Sequence, residues 1–229
     1  MTDIVVTTCE RLPLLQRTLE HLWARTETPY RLHVIDDASV GGNQAYLAAL
    51  LAAGKVARVH QHTRRVGIPF HLRSLTKITA SDPIVFTDDD ILCPRLEPDW
   101  LARGLAAMEQ YPELGLLALN SPECNVTGGR GQKEPGEPVT FCRNVGGSLV
   151  FARRAVLDAC QPPDGTTSAV KWLCLDAARR GWRIGYLTSV YCQHVGTISV
   201  RNQKDLSRII DPVLPVDSET LEPPDAYKG

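Results

Sequence analysis

The stretch VFTDDDIL, residues 85–92, places three consecutive aspartates directly behind an apolar run. The run has the composition of a buried strand, and three like charges so close together repel one another. A folded chain tolerates such a triplet if the loop is fully solvated, or if a positive group lies among the carboxylates. A bare run of aspartates is most often a solvated turn or the start of a helix. Here the position after a buried strand favours a positive group beside Asp88, Asp89 and Asp90.

The segments around this stretch alternate between strand and helix patterns. Strands are predicted for DIVVTT, RLHVIDDAS, KVARVH, PIVFT and LGLLAL, which are short and β-rich. A first helix is predicted from Pro13 to about Arg25, where leucines recur every three or four residues. Three further helices are predicted: QAYLAALLAAG, about Ile68 to Ala80, and DWLARGLAAMEQY. This alternation predicts an α/β fold, a doubly wound and mainly parallel sheet with helices on both faces.

Residues 1–200 are predicted to form a single domain. Within it, SPECNVTGGRGQKEPGEP, at about residues 121–138, is rich in glycine, proline and charge, which predicts a mobile loop. GGSLVFARRAVLDAC then predicts a strand and a helix, and VKWLCLDAARRGWRIGYL predicts a helix and a strand. Residues 201–229 have the composition of an irregular tail.

The composition narrows the class of protein. The net charge of −1 gives no basic field that would indicate a nucleic-acid or anionic-membrane partner. No apolar run approaches the roughly 18 residues that a bilayer span needs, and the start lacks the basic flank of a signal peptide. The 7 cysteines are scattered without a CxxC pair, which indicates reduced thiols rather than a disulfide frame or a zinc site. We therefore expect a cytoplasmic protein.

Acidic residues follow two of the predicted strands, Asp36-Asp37 after one and the triplet after another. Ligands of open parallel sheets bind outside the carboxyl ends of the strands, so these residues can meet over one crevice. If the strand conformation continues through the triplet, Asp88 and Asp90 point to one side and Asp89 to the other. Two carboxylates on one side form an oxygen site for Mg²⁺ or Mn²⁺, which would hold a diphosphate.

In the order and spacing of its segments, the sequence resembles the nucleotide-sugar-dependent glycosyltransferases of the GT-A fold, in particular family 2. The resemblance extends over about residues 3–196. DIVVTTCERLPLLQRTLEHL is similar to the opening strand, turn and first helix of the family, YRLHVIDDAS to its second strand, and HTRRVGIPFHLRSL to the segment that approaches the nucleotide. VFTDDDI resembles the DxD-type signature, and EPDWLARGLAAMEQYPELGLLAL resembles the helix and strand that follow it. NVGGSLVFARRAVLDA looks like the acceptor-side strand, and RRGWRIGYLTSVYCQHVG looks like the closing strand.

The resemblance implies a metal-dependent glycosyltransferase that takes a sugar from a nucleotide-diphosphate sugar, a UDP-sugar being favoured, with Mn²⁺ or Mg²⁺. It implies Asp88, Asp90 and His194 as metal ligands, with Asp90 the favoured one and Asp88 nearer the ribose or sugar. A hydrogen-bonded histidine at a strand end is an equal interpretation of His194. Contacts with the nucleotide sugar are implied for Thr7, Thr8, Glu10, Asp37, Arg64, Arg65, Gly67, Asp88 and Asp89. The acceptor is open: a carbohydrate, a small metabolite, a protein or a modified nucleic-acid base.

One segment departs from the pattern of the resembled family. Many inverting members carry a Glu-Asp pair at the start of the helix that precedes the segment similar to GWRIGYL, and its aspartate is the general base. By spacing, those positions fall at about Ala169 and Val170, which are apolar. Asp176, further along this helix, or Asp164, in the preceding loop, could act as the catalytic base instead. For Asp176, a surface charge is the simpler interpretation.

The missing pair leaves three accounts open. Another carboxylate serves as the base, the transfer retains configuration without an enzyme base, or the protein is an inactive relic that binds nucleotide sugars. A further alternative is a Mg²⁺-dependent phosphohydrolase of the haloacid dehalogenase type, in which the first aspartate of a DxD motif is the nucleophile. Those enzymes place the motif on the first strand and follow it with threonine or serine, whereas here it lies on about the fourth strand and Ile91 follows. A glycosyltransferase is therefore the favoured interpretation.

Overall fold

The computed structural model describes residues 1–120, 134–146, 148–166 and 168–195 of the chain. Its strands are β1 (Thr2–Thr8), β2 (Tyr30–Asp36), β3 (Arg58–Gln61), β4 (Ile84–Asp88), β5 (Ile91–Leu92), β6 (Leu114–Asn120), β7 (Val139–Phe141), β8 (Leu149–Ala152), β9 (Arg183–Tyr191) and β10 (Gln193–His194). Its helices are α1 (Leu12–Arg25), α2 (Gly42–Ala52), α3 (Ile68–Ile78), α4 (Trp100–Gln110), α5 (Arg154–Ala159) and α6 (Ala169–Arg179).

The strands form one large sheet in the order β3-β2-β1-β4-β8-β6-β9-β7, while β5 pairs with β10 in a separate small sheet. Strands β3, β2, β1 and β4 run parallel to one another. Strand β8 is antiparallel to both of its neighbours, β4 and β6. Strand β9 is parallel to β6, and β7 lies antiparallel to β9 at the edge. The predicted α/β fold is confirmed, with β8 inserted in the reverse direction at the centre of the sheet.

Different helices cover the two faces of the sheet, because the side chains of a strand alternate between the faces. In β1, Ile4 and Val6 belong to one core cluster, and Val5 belongs to the other. The first cluster contains residues of α1, α2 and α4, and the second contains residues of α3, α5 and α6. The doubly wound arrangement predicted from the alternation of strands and helices is therefore present.

Local sequence explains where several helices begin and end. Helices α1 and α3 carry Pro13 and Pro69 in their first turn, where the missing amide hydrogen would have no intrahelical partner in any case. The Asp99 side chain accepts a hydrogen bond from the Ala102 amide at 2.8 Å and so caps the start of α4. Gly181, with a φ of +89°, ends α6 in the left-handed region that favours glycine.

Two predicted segments lie wholly or largely outside the described residues. The loop predicted at about 121–138 is described only from residue 134 onward, where Glu134 forms a bridge with Phe141 of β7. The tail predicted at 201–229 lies outside them altogether. The described cysteines are free thiols.

Candidate functional site

The parallel strands bring the predicted acidic residues to one edge of the sheet. Thr7 of β1 pairs with Asp88 of β4, and Asp36 ends the neighbouring strand β2. Strand β4 ends at Asp88, while Asp89 and Asp90 form the turn that leads into β5. The strand conformation therefore stops at the first aspartate, so the condition on which the alternation of the three side chains was predicted is not met.

A positive group does lie among the aspartates, and it belongs to the chain itself. Arg11, directly before α1, forms one ion pair with Asp89 and a second with Asp90, in which Nη1 and Oδ2 are 2.8 Å apart. The exposed fractions of the three side chains are 10%, 1% and 5%, respectively. Thr8 Oγ1 donates a hydrogen bond to Asp89 Oδ2 at 2.6 Å, and Thr18 Oγ1 donates one to the Asp89 carbonyl at 2.8 Å. Burial nevertheless raises the pKa of Asp89 to about 6.

Sequence reasoning missed this arginine. The only local signal is a basic residue directly after the turn that follows the first strand. Its approach to Asp89, which is 78 positions later, depends on the pairing of β1 with β4. Arg11 is thus a positive group of the kind that the sequence predicts beside the triplet, for two of its three carboxylates.

The environment of Asp88 differs from that of its two neighbours. Its Oδ1 accepts a hydrogen bond from Thr7 Oγ1 at 2.9 Å. Burial raises the pKa of Asp88, and the carboxylates of Asp90 and Asp89 raise it further, to about 7. A cation beside this carboxyl group would relieve both effects, because it favours the charged form.

Asp90 lies between Arg11 and His194. His194 Nε2 is 3.3 Å from Asp90 Oδ2, and the pairing of His194 with Ile91 of β5 holds β10 in this place. The Val195 amide donates a hydrogen bond to the Asp90 carbonyl at 2.9 Å. Burial tends to raise the pKa of Asp90, but the hydrogen bond with His194 and the Arg11 guanidinium lower it overall. The other oxygen, Oδ1, is buried and has no hydrogen-bond partner in the described part of the chain.

These residues supply only part of a coordination shell. Among the residues that the structure describes, no group of three or more histidine, cysteine, aspartate or glutamate side chains is arranged to hold a metal ion. A Mg²⁺ ion is commonly bound through one or two carboxylates together with the phosphates of a substrate. Asp88 and the unpartnered Oδ1 of Asp90 have the donor chemistry for such a partial site.

Asp37 connects the end of β2 to the start of α3. Its Oδ1 accepts a hydrogen bond from the Val66 amide at 2.7 Å, and its Oδ2 accepts one from the Gly67 amide at 3.0 Å. Gly67 has a φ of +78°, in the region that favours glycine, and directly precedes α3. His71 Nε2 is 3.5 Å from Asp37 Oδ1. Asp37 and Gly67, two residues predicted to bind the nucleotide, are therefore in direct contact.

The remaining predicted nucleotide-binding residues surround the same edge. Glu10 Oε1 accepts a hydrogen bond from the Val40 amide at 3.0 Å, and the Glu10 amide donates one to Ser39 Oγ at 2.8 Å. Arg64 and Arg65 are exposed, and neither forms a hydrogen bond or an ion pair within the described ranges. Their guanidinium groups are accessible to a ligand.

A cavity of about 300 Å³ lies between the carboxyl ends of β1 and β4, helix α3 and the first turn of α6. Thr7 and Asp88 line it beside the aspartate triplet. The first turn of α6 contributes Ser168, Ala169, Val170 and Lys171. The rest of the described lining is apolar apart from one histidine and consists of Ile68, His71, Leu72, Leu75, Phe86, Val145 and Gly146. Ala169 and Val170, which the spacing predicts to correspond to the Glu-Asp pair of the resembled family, therefore line this cavity.

The two predicted catalytic bases are not among the described residues that line the cavity. Asp176 lies on α6, where Arg180 Nε is 3.0 Å from its Oδ2 and lowers the pKa of Asp176. The Asp164 side chain is 87% exposed and forms an ion pair with Arg73 of α3. Neither carboxylate contacts the aspartate triplet, and both assignments remain predictions.

Several solved structures share this fold. The mannosyltransferase PcManGT from Pyrobaculum calidifontis, in complex with GDP-Man and Mn²⁺, is 17% identical, and the match covers 84% of this chain and 56% of that one with a TM-score of 0.66. S. aureus TarS 1–349 in complex with UDP-GlcNAc is 18% identical, with 87% and 62% covered and a TM-score of 0.58. GalNAc-T7 with UDP, GalNAc and Mn²⁺ is 13% identical, with 85% and 43% covered and a TM-score of 0.62. The chain thus spans 43–62% of the length of these three proteins.

The sequence itself points to the same group of proteins. Residues 3–135, more than half of the chain, match the profile described as "Glycosyl transferase family 2". A search of curated proteins found no match. In the described ranges, every helix is too short or too polar to cross a lipid bilayer. On the strength of the profile and the shared GT-A fold, the chain belongs to glycosyltransferase family 2.

Proposed function

We propose that the protein transfers a sugar from a nucleoside diphosphate sugar to an acceptor at the edge of the sheet where the aspartate triplet lies. One observation carries the proposal: Asp88 and its two buried neighbours lie at the carboxyl ends of β1 and β4, beside a cavity of about 300 Å³. This volume is within the range of small-molecule sites. The complexes of PcManGT with GDP-Man and Mn²⁺ and of TarS with UDP-GlcNAc support this class of donor.

Asp88 and Asp90 would hold a divalent cation, Mn²⁺ or Mg²⁺, with His194 beside them. When bound, such an ion neutralises the negative charge that develops on the diphosphate as its bond to the sugar breaks. The chain prepares the site in other ways as well. Thr7 fixes the orientation of the Asp88 carboxyl group, and Arg11 compensates the charge of Asp89 and part of that of Asp90. The unpartnered Oδ1 of Asp90 is therefore the oxygen that we assign to the cation.

The nucleoside would lie over the ends of β1 and β2. A carboxylate has about four lone-pair positions, so Asp37 can accept a further hydrogen bond from a base or ribose in addition to the two amides that it already binds. Arg64 and Arg65 would supply positive charge to the phosphates or to the base. Thr8 binds the Asp89 carboxylate and Glu10 binds the Val40 amide, and through these contacts both residues would shape the nucleoside site. A UDP-sugar remains the preferred prediction for the donor, and the acceptor is unassigned.

Transfer also requires the removal of the proton from the acceptor hydroxyl group. The first turn of α6 contains no acidic residue, so Ala169 and Val170 cannot take the role of the Glu-Asp pair. Asp176 and Asp164 are the remaining candidates from the sequence, although each pairs with an arginine. The lack of an acidic residue in the first turn of α6 also supports a second candidate function, in which the protein binds nucleotide sugars without transferring them.

Calorimetric titration of the purified chain with UDP, GDP, CDP and dTDP and their glucose or mannose sugars, with and without Mn²⁺, tests the proposal. We expect binding of one nucleotide series that requires Mn²⁺ and is lost in Asp90→Ala, because Asp88 alone cannot hold the ion. Asp158→Ala is the matched control, since Asp158 is exposed on α5. No binding of any donor by the folded protein, or unchanged binding by Asp90→Ala, would contradict the proposal.

A second measurement separates transfer from binding alone. Incubation with a labelled donor and Mn²⁺ should release the nucleoside diphosphate, either by transfer to an added acceptor or by slow hydrolysis. Donor binding without any release over hours, across mixtures of sugars, metabolites, peptides and oligonucleotides, would favour the non-catalytic function.

A further inference from the structure

The first turn of α6 gives the cavity a chemical character that differs from that of the aspartate triplet. Lys171 is the single cationic side chain among the described residues that line the cavity. It is exposed, so its ammonium group is accessible to a ligand, and no described residue forms an ion pair with it. At this place the cavity therefore presents an uncompensated positive charge.

The backbone of α6 adds to this positive charge. The first amides of a helix have no acceptor within the helix, and its N-terminus carries about half a positive charge. Ser168 precedes the helix but supplies no side-chain cap, and the first turn contains no acidic residue. Within the described residues, the start of α6 therefore combines uncapped amides with Lys171 and carries no acidic side chain of its own.

A buried histidine on α3 adds an unpartnered hydrogen-bonding group to the same cavity. His71 lines the cavity, only 2% of its surface is exposed, and its Nδ1 has no hydrogen-bond partner among the described residues. Its Nε2 likewise forms no hydrogen bond within the described residues, but it lies 3.5 Å from Asp37 Oδ1, and this negative charge favours the tautomer with the proton on Nε2. Burial lowers the pKa of His71, so the ring is neutral near pH 7. Nδ1 is then an acceptor, and a hydroxyl group is its natural partner.

We propose that Lys171 and the first turn of α6 bind the carboxylate or phosphate of an acidic sugar or sugar phosphate, one of whose hydroxyl groups donates a hydrogen bond to His71 Nδ1. The inference rests on the proposed glycosyl transfer, since it names the class of substrate that this site takes. The diphosphate of the donor is assigned to Asp88 and Asp90, so the anionic group at α6 is a second one. It belongs either to the transferred sugar or to the acceptor.

Titration calorimetry on the full chain tests this in two arms. In the acceptor arm, the protein with saturating nucleoside diphosphate and Mn²⁺ is titrated with glucose 6-phosphate, glucuronate and uncharged glucose. In the donor arm, UDP-glucuronate is compared with UDP-glucose. We expect an anionic probe to bind at least about tenfold more tightly than its uncharged counterpart in one arm, which identifies the source of the anion.

Variants connect this preference to the site. Lys171→Gln should reduce the preference about tenfold, and Lys171→Arg should retain most of it, because the charge is kept. Lys77→Gln is the matched control, since Lys77 is an exposed lysine on α3 that does not line the cavity. High salt should weaken the preference in the wild-type protein.

Three results would overturn the inference. One is the lack of an anion preference in both arms, and another is an equal preference in Lys171→Gln and the wild type. The third is a loss of affinity for the nucleoside diphosphate itself in Lys171→Gln, which would assign Lys171 to the donor diphosphate. If the protein binds a nucleoside diphosphate with Mn²⁺ but shows no anion preference, only this inference fails. If no nucleoside diphosphate binds while glucose 6-phosphate, titrated alone, still binds through Lys171, only the proposed function fails.

Discussion

Replacing Arg11 with methionine removes the positive charge that lies between Asp89 and Asp90. Removal of one partner of a buried ion pair typically costs about 3–5 kcal/mol, because the other charge is left uncompensated. The cost has an upper limit, since a carboxylate can take up a proton instead. For a carboxyl group with an ordinary pKa of 3.8, protonation costs about 4 kcal/mol at about pH 7 but only about 1.6 kcal/mol at about pH 5.

We therefore expect Arg11→Met to lower the free energy of unfolding of the metal-free protein by about 3 kcal/mol near pH 7 and by about half of this or less near pH 5. The direction of this pH dependence follows from the linkage between proton binding and folding. In the variant, the folded carboxyl groups bind protons more tightly than those of the unfolded chain, so stability falls as the pH rises above about 4. Urea unfolding followed by tryptophan fluorescence measures both values. A loss of about 3 kcal/mol corresponds to a melting temperature lower by about 6–12 °C for a chain of this size.

Two further variants make the test specific. Arg17→Met removes an arginine of α1 that forms no ion pair within the described residues, so it should have little effect. Adding Asp89→Asn to Arg11→Met should recover about half of the lost stability or more, because one uncompensated charge is removed. Equal losses at the two pH values, or a loss below about 1 kcal/mol at about pH 7, would refute the argument that Arg11 neutralises the triplet.

Other expectations concern single positions. In the metal-free protein, the pKa of Asp88 is raised to about 7, so the ionised Asp88 carboxylate destabilises the folded state. This destabilisation is absent below about pH 4 and grows as the pH rises toward 7. Asp88→Asn should therefore stabilise the protein by about 2–4 kcal/mol near pH 8 and by much less near pH 5, which urea unfolding at both values would show. Asp176→Asn should leave the turnover of a labelled donor within about twofold of the wild-type rate, because this carboxylate pairs with Arg180 outside the cavity. A loss of about a thousandfold would instead identify Asp176 as the base. Gly104→Ala should lower the melting temperature, because the new methyl group would lie 2.1 Å from the ring of buried Phe151. Overpacking of this kind typically costs about 1–3 kcal/mol, and an unchanged melting curve would contradict the prediction.

The features that the sequence predicted well are those that depend on neighbouring residues. The strand that ends in Asp88 follows from a short apolar run and the carboxylates behind it, and both are local. Counting back from Gly181 places Ala169 and Val170 at the start of a helix, and α6 does begin at Ala169, because only a short helix separates these residues from the next strand. The alternation of strands and helices was sufficient to predict the layers of the fold.

The features that the sequence did not predict arise from pairings between distant parts of the chain. Arg11 and Asp89 meet only because β1 and β4 are neighbours in the sheet. The two hydrogen bonds from backbone amides to Asp37 require α3 to start beside β2, which no local pattern encodes. Strand β4 ends at Asp88, the first residue of the triplet. The predicted alternation of the three side chains assumed a strand through Asp90, so it does not extend to Asp89 and Asp90.

The place of β8 between β4 and β6 has a consequence for how the chain reaches its native state. The contact at this junction, in which Thr87 Oγ1 donates a hydrogen bond to the Ser148 carbonyl, joins residues that are 61 positions apart. During synthesis, β4 therefore has an open apolar edge from Ile84 to Phe86 until β8 has left the ribosome. The first 120 residues contain four parallel strands and the whole triplet, but without β8 we do not expect them to fold as a self-sufficient unit. We expect fragments that end before β8 to associate through this edge. The half of the sheet that carries the aspartate triplet should become native only once the later half is available to close it.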